Sequence, residues 1–145
     1  MNRFNKKIKS GAGFTLIELL VVLGIASLLS AVAVPSYNLI RNNAALNSEV
    51  QNFISALRLT QNFAVSAQGG TGHTLTIISE SSYKIDISPT HYTDNGITII
   101  QASVPQVTFN KLSGTTSCNP TCTFTIGLPT HNKRIEINNQ GTISY

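Results

Sequence analysis

Phe14 to Val34 read FTLIELLVVLGIASLLSAVAV, 21 residues that hold a single charge, Glu18. At about 1.5 Å per residue, a helix of this length spans about 31 Å, enough to cross a bilayer core of about 30 Å. Ahead of it stand Arg3, Lys6, Lys7 and Lys9, with no acid among them. By the positive-inside rule this cluster stays in the cytoplasm, and everything after Pro35 lies across the membrane. A secretory signal peptide is the competing reading, since Ala31-Val32-Ala33 mimics a cleavage site. The run is longer than the usual apolar region of about 7–15 residues, however, and it carries a carboxylate.

The charge balance divides the chain at the same place. Its 145 residues include 10 Lys and Arg against 6 Asp and Glu, a formal charge of +4. The four leader residues hold the whole excess, so the remainder is neutral. A basic balance ordinarily points to nucleic acid or an anionic surface. Here it belongs to the leader, and nucleic acid is not an expected partner. Charged residues make up only 11% of the chain, against roughly 25% in an ordinary soluble domain. The surface must then be covered by Thr, Ser and Asn. The length suits one modest domain with an appendage and excludes a two-domain cofactor enzyme.

A carboxylate near the membrane needs a reason, because at mid-depth it costs about 2.5–3.5 kcal/mol on insertion scales. The local reading is a capping box, with Thr15 and Glu18 at the required spacing. That leaves the block in front unexplained. Gly11-Ala12-Gly13-Phe14-Thr15-Leu16-Ile17-Glu18 resembles the processing site of type IV pilins and type II secretion pseudopilins. The resemblance implies a prepilin peptidase cut between Gly13 and Phe14, on the cytoplasmic side, and N-methylation of Phe14. It makes Glu18 the fifth mature residue, where the family carries its acidic assembly residue, and Pro35 matches the proline usual after the membrane half of the helix. Physical chemistry agrees. The cut removes all four leader charges and creates an amine on Phe14, which can neutralise Glu18 of a neighbouring subunit where an unpaired charge is expensive.

Pro35 lacks a backbone donor and is expected to bend or locally melt the helix rather than end it. Leu39, Leu46, Val50, Phe53, Leu57 and Ala64 continue at spacings of three, four or seven, one apolar stripe on a helix. Gly69-Gly70 is the expected stop, and Gly69-Gly70-Thr71-Gly72 reads as cap and linker rather than a phosphate loop. The expected organisation is a removed leader over 1–13, a membrane and assembly helix over 14–34, an amphipathic continuation over 35–68 and a β domain over 73–145.

Beyond Gly72 the apolar period becomes two. Leu75 and Ile77, Tyr83, Ile85 and Ile87, Ile97 and Ile99, Val107 and Phe109, Cys122, Phe124 and Ile126, and Ile135 and Ile137 read as six or seven short strands with one buried face each. Asp94-Asn95-Gly96 and four prolines punctuate them. The expected fold class is α+β: pilin-like, a long N-terminal helix packed on a C-terminal antiparallel β domain. Among pilin-like proteins the short length and strand-rich tail are most similar to the GspH/FimT group of minor pilins and pseudopilins.

Few residues offer chemistry. Cys118 and Cys122, with three residues between them and outside the cytoplasm, are expected to form a disulfide. A redox motif needs two intervening residues, and a zinc site needs more ligands. His73, His91 and His131 show no metal-ligand spacing and read as solvated loop or strand-edge residues. No cofactor, metal or catalytic residue is expected. Lys133-Arg134, with Glu136 beside them, is the one adjacent basic pair of the mature chain and at most a weak basic patch.

The resemblance implies a structural subunit of a type IV pilus or type II secretion pseudopilus. Its partners would be other pilin or pseudopilin subunits, prepilin peptidase, the inner-membrane assembly platform and membrane lipid. It would start as a single-pass inner-membrane protein with a periplasmic C-terminal domain and move into the filament. The alternative is a DNA-binding minor pilin for natural transformation. Relatives with that role carry a C-terminal Gly-Arg-x-Arg stretch, and here Gly141-Thr142-Ile143-Ser144 lacks both arginines. A secreted enzyme or adhesin has no catalytic motif to support it.

Overall fold

A computed structural model describes residues 13–70, 72–93 and 96–145, apart from the side chains of residues 32–35 and 70. The basic leader cluster, the side chain of Pro35 and the Asp94-Asn95 turn therefore lie outside the described residues. The chain divides into two compact units with the boundary between Leu39 and Ile40. One helix, α1 (Leu16–Val65), is assigned across that boundary and through position 35.

The helix starts at Thr15. Its hydroxyl accepts from the Glu18 N–H at 3.3 Å, and its carbonyl accepts from the Leu19 N–H at 3.2 Å. Such an N-cap supplies about 1 kcal/mol. The helix stops where sequence places the glycines. Ala67 (φ 55°) and Gly69 (φ 70°) take left-handed conformations around a 3₁₀ turn, Gln68–Gly70. Here the carbonyl of Ala64 accepts from the Ala67 N–H at 3.1 Å and from the Leu112 N–H at 3.0 Å, which ties the last turn to a distant loop.

Eight strands follow: β1 (His73–Ser79), β2 (Ser82–Ile85), β3 (His91–Tyr92), β4 (Thr98–Ala102), β5 (Gln106–Phe109), β6 (Thr121–Leu128), β7 (His131–Asn138) and β8 (Ile143–Ser144). They form two antiparallel four-stranded sheets, in the orders β3-β2-β1-β5 and β4-β6-β7-β8. The α+β architecture expected from the sequence is thus the one observed. The strand count exceeds the expected six or seven because β3 and β8 are two residues long, too short to show alternation. Ile87 does not continue β2 as its spacing implied. The chain turns at Asp86, with the Ser88 N–H donating to the Ile85 carbonyl at 3.0 Å, and Ile87 is left 52% exposed.

Within Ile40–Tyr145 the second half of α1 and both sheets share one core. Leu46, Val50, Phe53, Ile54, Leu57 and Ala64 of the helix are buried with Leu75, Tyr83, Val107, Phe109, Phe124, Ile126, Ile135 and Ile137. Phe53 touches both sheets: its ring lies 5.0 Å from Tyr83 of β2, edge-on, and 5.4 Å from Phe124 of β6. Leu39, placed in the apolar stripe by its spacing, is 54% exposed and falls in the N-terminal unit, whereas Ile54 and Thr60 join the buried face. Thr60 is tolerated there because its hydroxyl donates to the Ala56 carbonyl at 2.7 Å.

Gln61 pins the helix to the C-terminal turn. Its amide donates to the Gly114 carbonyl at 3.3 Å and the Gly141 carbonyl at 3.1 Å. Gly141 has φ 82°, and a Cβ there would run into the Gln61 amide and the Gly114 carbonyl. The glycine is therefore required by close packing and by its left-handed backbone.

Candidate functional site

The N-terminal unit carries the residues singled out from sequence. From Phe14 to Ala31 every residue of the chain is exposed, including Phe14, Leu16, Ile17, Leu19, Leu20, Val21, Val22, Leu23, Ile25, Leu28 and Leu29. Its two serine hydroxyls are satisfied within the helix. Ser27 donates to the Gly24 carbonyl and Ser30 to the Ala26 carbonyl, both at 2.8 Å. No hydroxyl there need be lost to an apolar surrounding unpaired, which is the condition for a helix in lipid.

Glu18 lies in the first turn, where the partial positive charge of the helix N-terminus favours a carboxylate. The capping box is half closed. Thr15 caps Glu18 through the backbone, but among the described residues no hydrogen bond or ion pair reaches the Glu18 carboxylate. The local reading thus accounts for Thr15 and leaves the charge of Glu18 without a partner among the described residues. Gly13 and Phe14 precede the helix in irregular backbone.

At the other end of the chain, Cys118 and Cys122 are joined by a disulfide, with their Cα atoms 5.2 Å apart. The segment it holds is the seam between the two sheets. The Ser117 N–H donates to the Thr108 carbonyl of β5 at 3.0 Å, and the Thr116 hydroxyl donates to the Asn138 carbonyl at the end of β7 at 2.7 Å. Cys122 itself lies in β6 opposite Ile137. The bond therefore fastens a bridge between sheets to a central strand. Alkylation of the extracted protein before and after reduction is expected to differ by two thiols. Two thiols labelled without reductant would contradict this. The ring is small, so its stabilisation is expected to fall below the roughly 3 kcal/mol of a 15-residue loop.

Lys133 and Arg134 are not brought into one patch. Neighbouring residues of a strand project to opposite faces. Lys133 lines an open groove of about 560 Å³ with Asn43, Leu46 and Asn47. Arg134, on the other face, pairs with Glu136, Nε to Oε1, at 2.9 Å.

The histidines depart furthest from expectation. His131 is exposed at the start of β7, as a strand-edge residue should be. His73 is not solvated: it is 2% exposed in β1, with Asp86 and the Gln68 carbonyl at its two ring nitrogens. His91 faces Glu49 of α1, Nε2 to Oε2, at 3.5 Å, and Glu49 is only 6% exposed. Burial first, and then the Glu49 carboxylate, push the Tyr83 hydroxyl far above its ordinary value, so it stays neutral. Both misses had a signal. His73 stands two and four residues before Leu75 and Ile77, on the buried face of β1. Glu49 stands three after Leu46 and four before Phe53, on the buried face of α1. Among the described residues no group of three or more His, Cys, Asp and Glu is placed to hold a metal ion.

One helix long and apolar enough to cross a membrane, capped at its start, acidic in its first turn and followed by an antiparallel β domain, is the arrangement of an N-terminally anchored protein. Comparison with known proteins sharpens that class. Residues 8–34 match the family described as "Prokaryotic N-terminal methylation motif", the type IV pilin signal. The chain is also similar to "Prepilin peptidase-dependent protein D" of Escherichia coli (strain K12), at 50% identity over 42 residues. That match covers 29% of this chain and 29% of the relative's own length. No solved structure matches the chain. The two findings support the type IV pilin and pseudopilin family, and the residues that match the motif include Gly13, Phe14 and Glu18.

Proposed function

We propose that this protein is a minor pilin or pseudopilin, most like the GspH/FimT group, and a structural subunit rather than an enzyme. It is made as a precursor and cut between Gly13 and Phe14 by prepilin peptidase. The new amine of Phe14 is methylated, and the subunit waits in the inner membrane with its β domain in the periplasm. From there the assembly platform feeds it into a type IV pilus or type II secretion pseudopilus. The observation that carries this reading is Glu18: an exposed first-turn carboxylate, unpartnered within the described residues, inside an apolar span that matches the N-terminal methylation motif. In a staggered filament the Phe14 amine of one subunit meets Glu18 of the next, which turns a buried liability into an assembly contact.

DNA binding, the alternative, draws no support from the basic pair. Counterion release requires several cations facing the phosphates together. Lys133 and Arg134 face apart, and Glu136 already occupies Arg134. Gly141 is explained by its packing against Gln61 without any ligand.

The experiment is fractionation of cells that make the tagged full chain together with its filament system. The protein is expected in sheared pili or in pseudopili as well as in the inner membrane. Retention in the inner membrane alone, while the other subunits are recovered in filaments, would contradict the proposal.

A further inference from the structure

His73 is held by acceptors on both sides. Its Nδ1 lies 3.1 and 3.0 Å from the two carboxylate oxygens of Asp86, and its Nε2 lies 2.7 Å from the Gln68 carbonyl oxygen. An ionised carboxylate and a carbonyl only accept, so each ring nitrogen must carry a proton to bond its partner. A neutral imidazole has one such proton, and its other nitrogen would turn a lone pair towards oxygen. The doubly protonated ring satisfies both.

The two acceptors belong to different pieces of the domain. Gln68 opens the 3₁₀ turn that ends α1, and Asp86 follows β2. His73 itself opens β1. Other elements pack neutral groups against the ring. Phe63 of α1 has its ring 5.9 Å away, Gly69 lies in the turn, and Phe109 of β5 is the ladder partner of His73. Among the described residues Asp86 is the charged side chain that faces it. The Asp86 side chain is 37% exposed, so water shares its charge while the imidazole is shut in.

We propose that His73 is a buried imidazolium strap between the end of α1 and the end of β2, and that its deprotonation loosens this junction as pH rises. The Gln68 carbonyl, first, raises the affinity of His73 for its proton above the ordinary value of 6.5; burial opposes this, and Asp86 adds to it. The sign follows from linkage. A group bound more tightly to its proton in the folded state contributes fully below the unfolded value, and that contribution is lost as pH rises through the folded one. The His73 contribution to the helix–sheet junction is therefore complete below pH 6.5 and is lost as pH rises through the folded-state value.

The test uses the full chain in detergent micelles with ¹⁵N-labelled histidine, titrated from about pH 5.5 to about pH 9. The His73 signals are assigned by their absence in His73→Gln. Both ring nitrogens of His73 are expected to remain N–H at pH 6.5 and one to lose its proton above it. Asp86→Asn is expected to move that midpoint down. The thermal midpoint of the native chain should fall as pH rises above 6.5, and this fall should shrink in both variants. A neutral His73 ring at pH 6.5, or one sharing its proton with a protonated Asp86, would overturn the proposal. So would an Asp86→Asn protein with an unchanged midpoint. If His73→Gln fails to fold, Asp86→Asn, altered at a partly exposed carboxylate, still decides it.

Discussion

Glu18→Ala is expected to insert into the membrane as well as the native chain and to reach filaments at least about tenfold less. Insertion should not suffer, because the substitution removes the one charge of an apolar span and spares the helix the cost of carrying it. The helix start should survive too, since the cap on the Glu18 N–H comes from the Thr15 hydroxyl and is indifferent to the Glu18 side chain. What disappears is the acceptor for a neighbour's Phe14 amine. A hydrogen bond to a charged group contributes about 1.5–3 kcal/mol, and more is at stake when its removal strands the partner charge in a low dielectric. Each subunit added would meet that penalty. Quantitative blotting of membrane and sheared-filament fractions measures both halves. Normal recovery of Glu18→Ala in filaments would leave Glu18 without an assembly role.

Phe53→Ala is expected to destabilise the β domain by about 3–5 kcal/mol, a large part of the roughly 5–15 kcal/mol that holds an ordinary domain. Phe53 is fully buried and touches Tyr83 of one sheet and Phe124 of the other. Truncation removes the transfer energy of the ring and opens a cavity that two sheets and a helix would have to close together. Leu59, on the same helix but 43% exposed, is the control, with an expected change below about 1 kcal/mol on truncation to alanine. Urea unfolding of the full chain in micelles, followed by tyrosine near-ultraviolet dichroism, gives both values. Equal effects at the two positions would show that the helix stripe is not the keystone of the core.

Much of this architecture was legible because one-dimensional patterns carried it. The period of the apolar residues changes from helical to two between Ala64 and Leu75, and Gly69 falls where the backbone turns left-handed. Leu75, Val107, Phe124 and Ile135 all face the core as alternation requires. What stayed hidden depends on pairs distant in sequence. Nothing local marks Gln61 as the partner of Gly114 and Gly141, or Asp86 as the partner of His73. The polar residues His73 and Glu49 sit on buried faces because each finds a partner there, and a pattern read in apolar letters passes over them. The basic pair illustrates the opposite error. Adjacent in sequence, Lys133 and Arg134 are separated by the strand geometry that places their neighbours Ile135 and Ile137 in the core. At the proposed processing site the order of residues is itself the signal, since the N-terminal methylation motif is a linear segment.

The mature N-terminus tests the central claim most directly. Intact-mass analysis of the protein extracted from membranes of cells that contain a prepilin peptidase should show a chain running from Phe14 to Tyr145, one methyl group heavier than its sequence. A chain beginning at Val34, the product of cleavage after Ala31-Val32-Ala33, would contradict the account, as would one that retains the basic leader in the presence of an active peptidase.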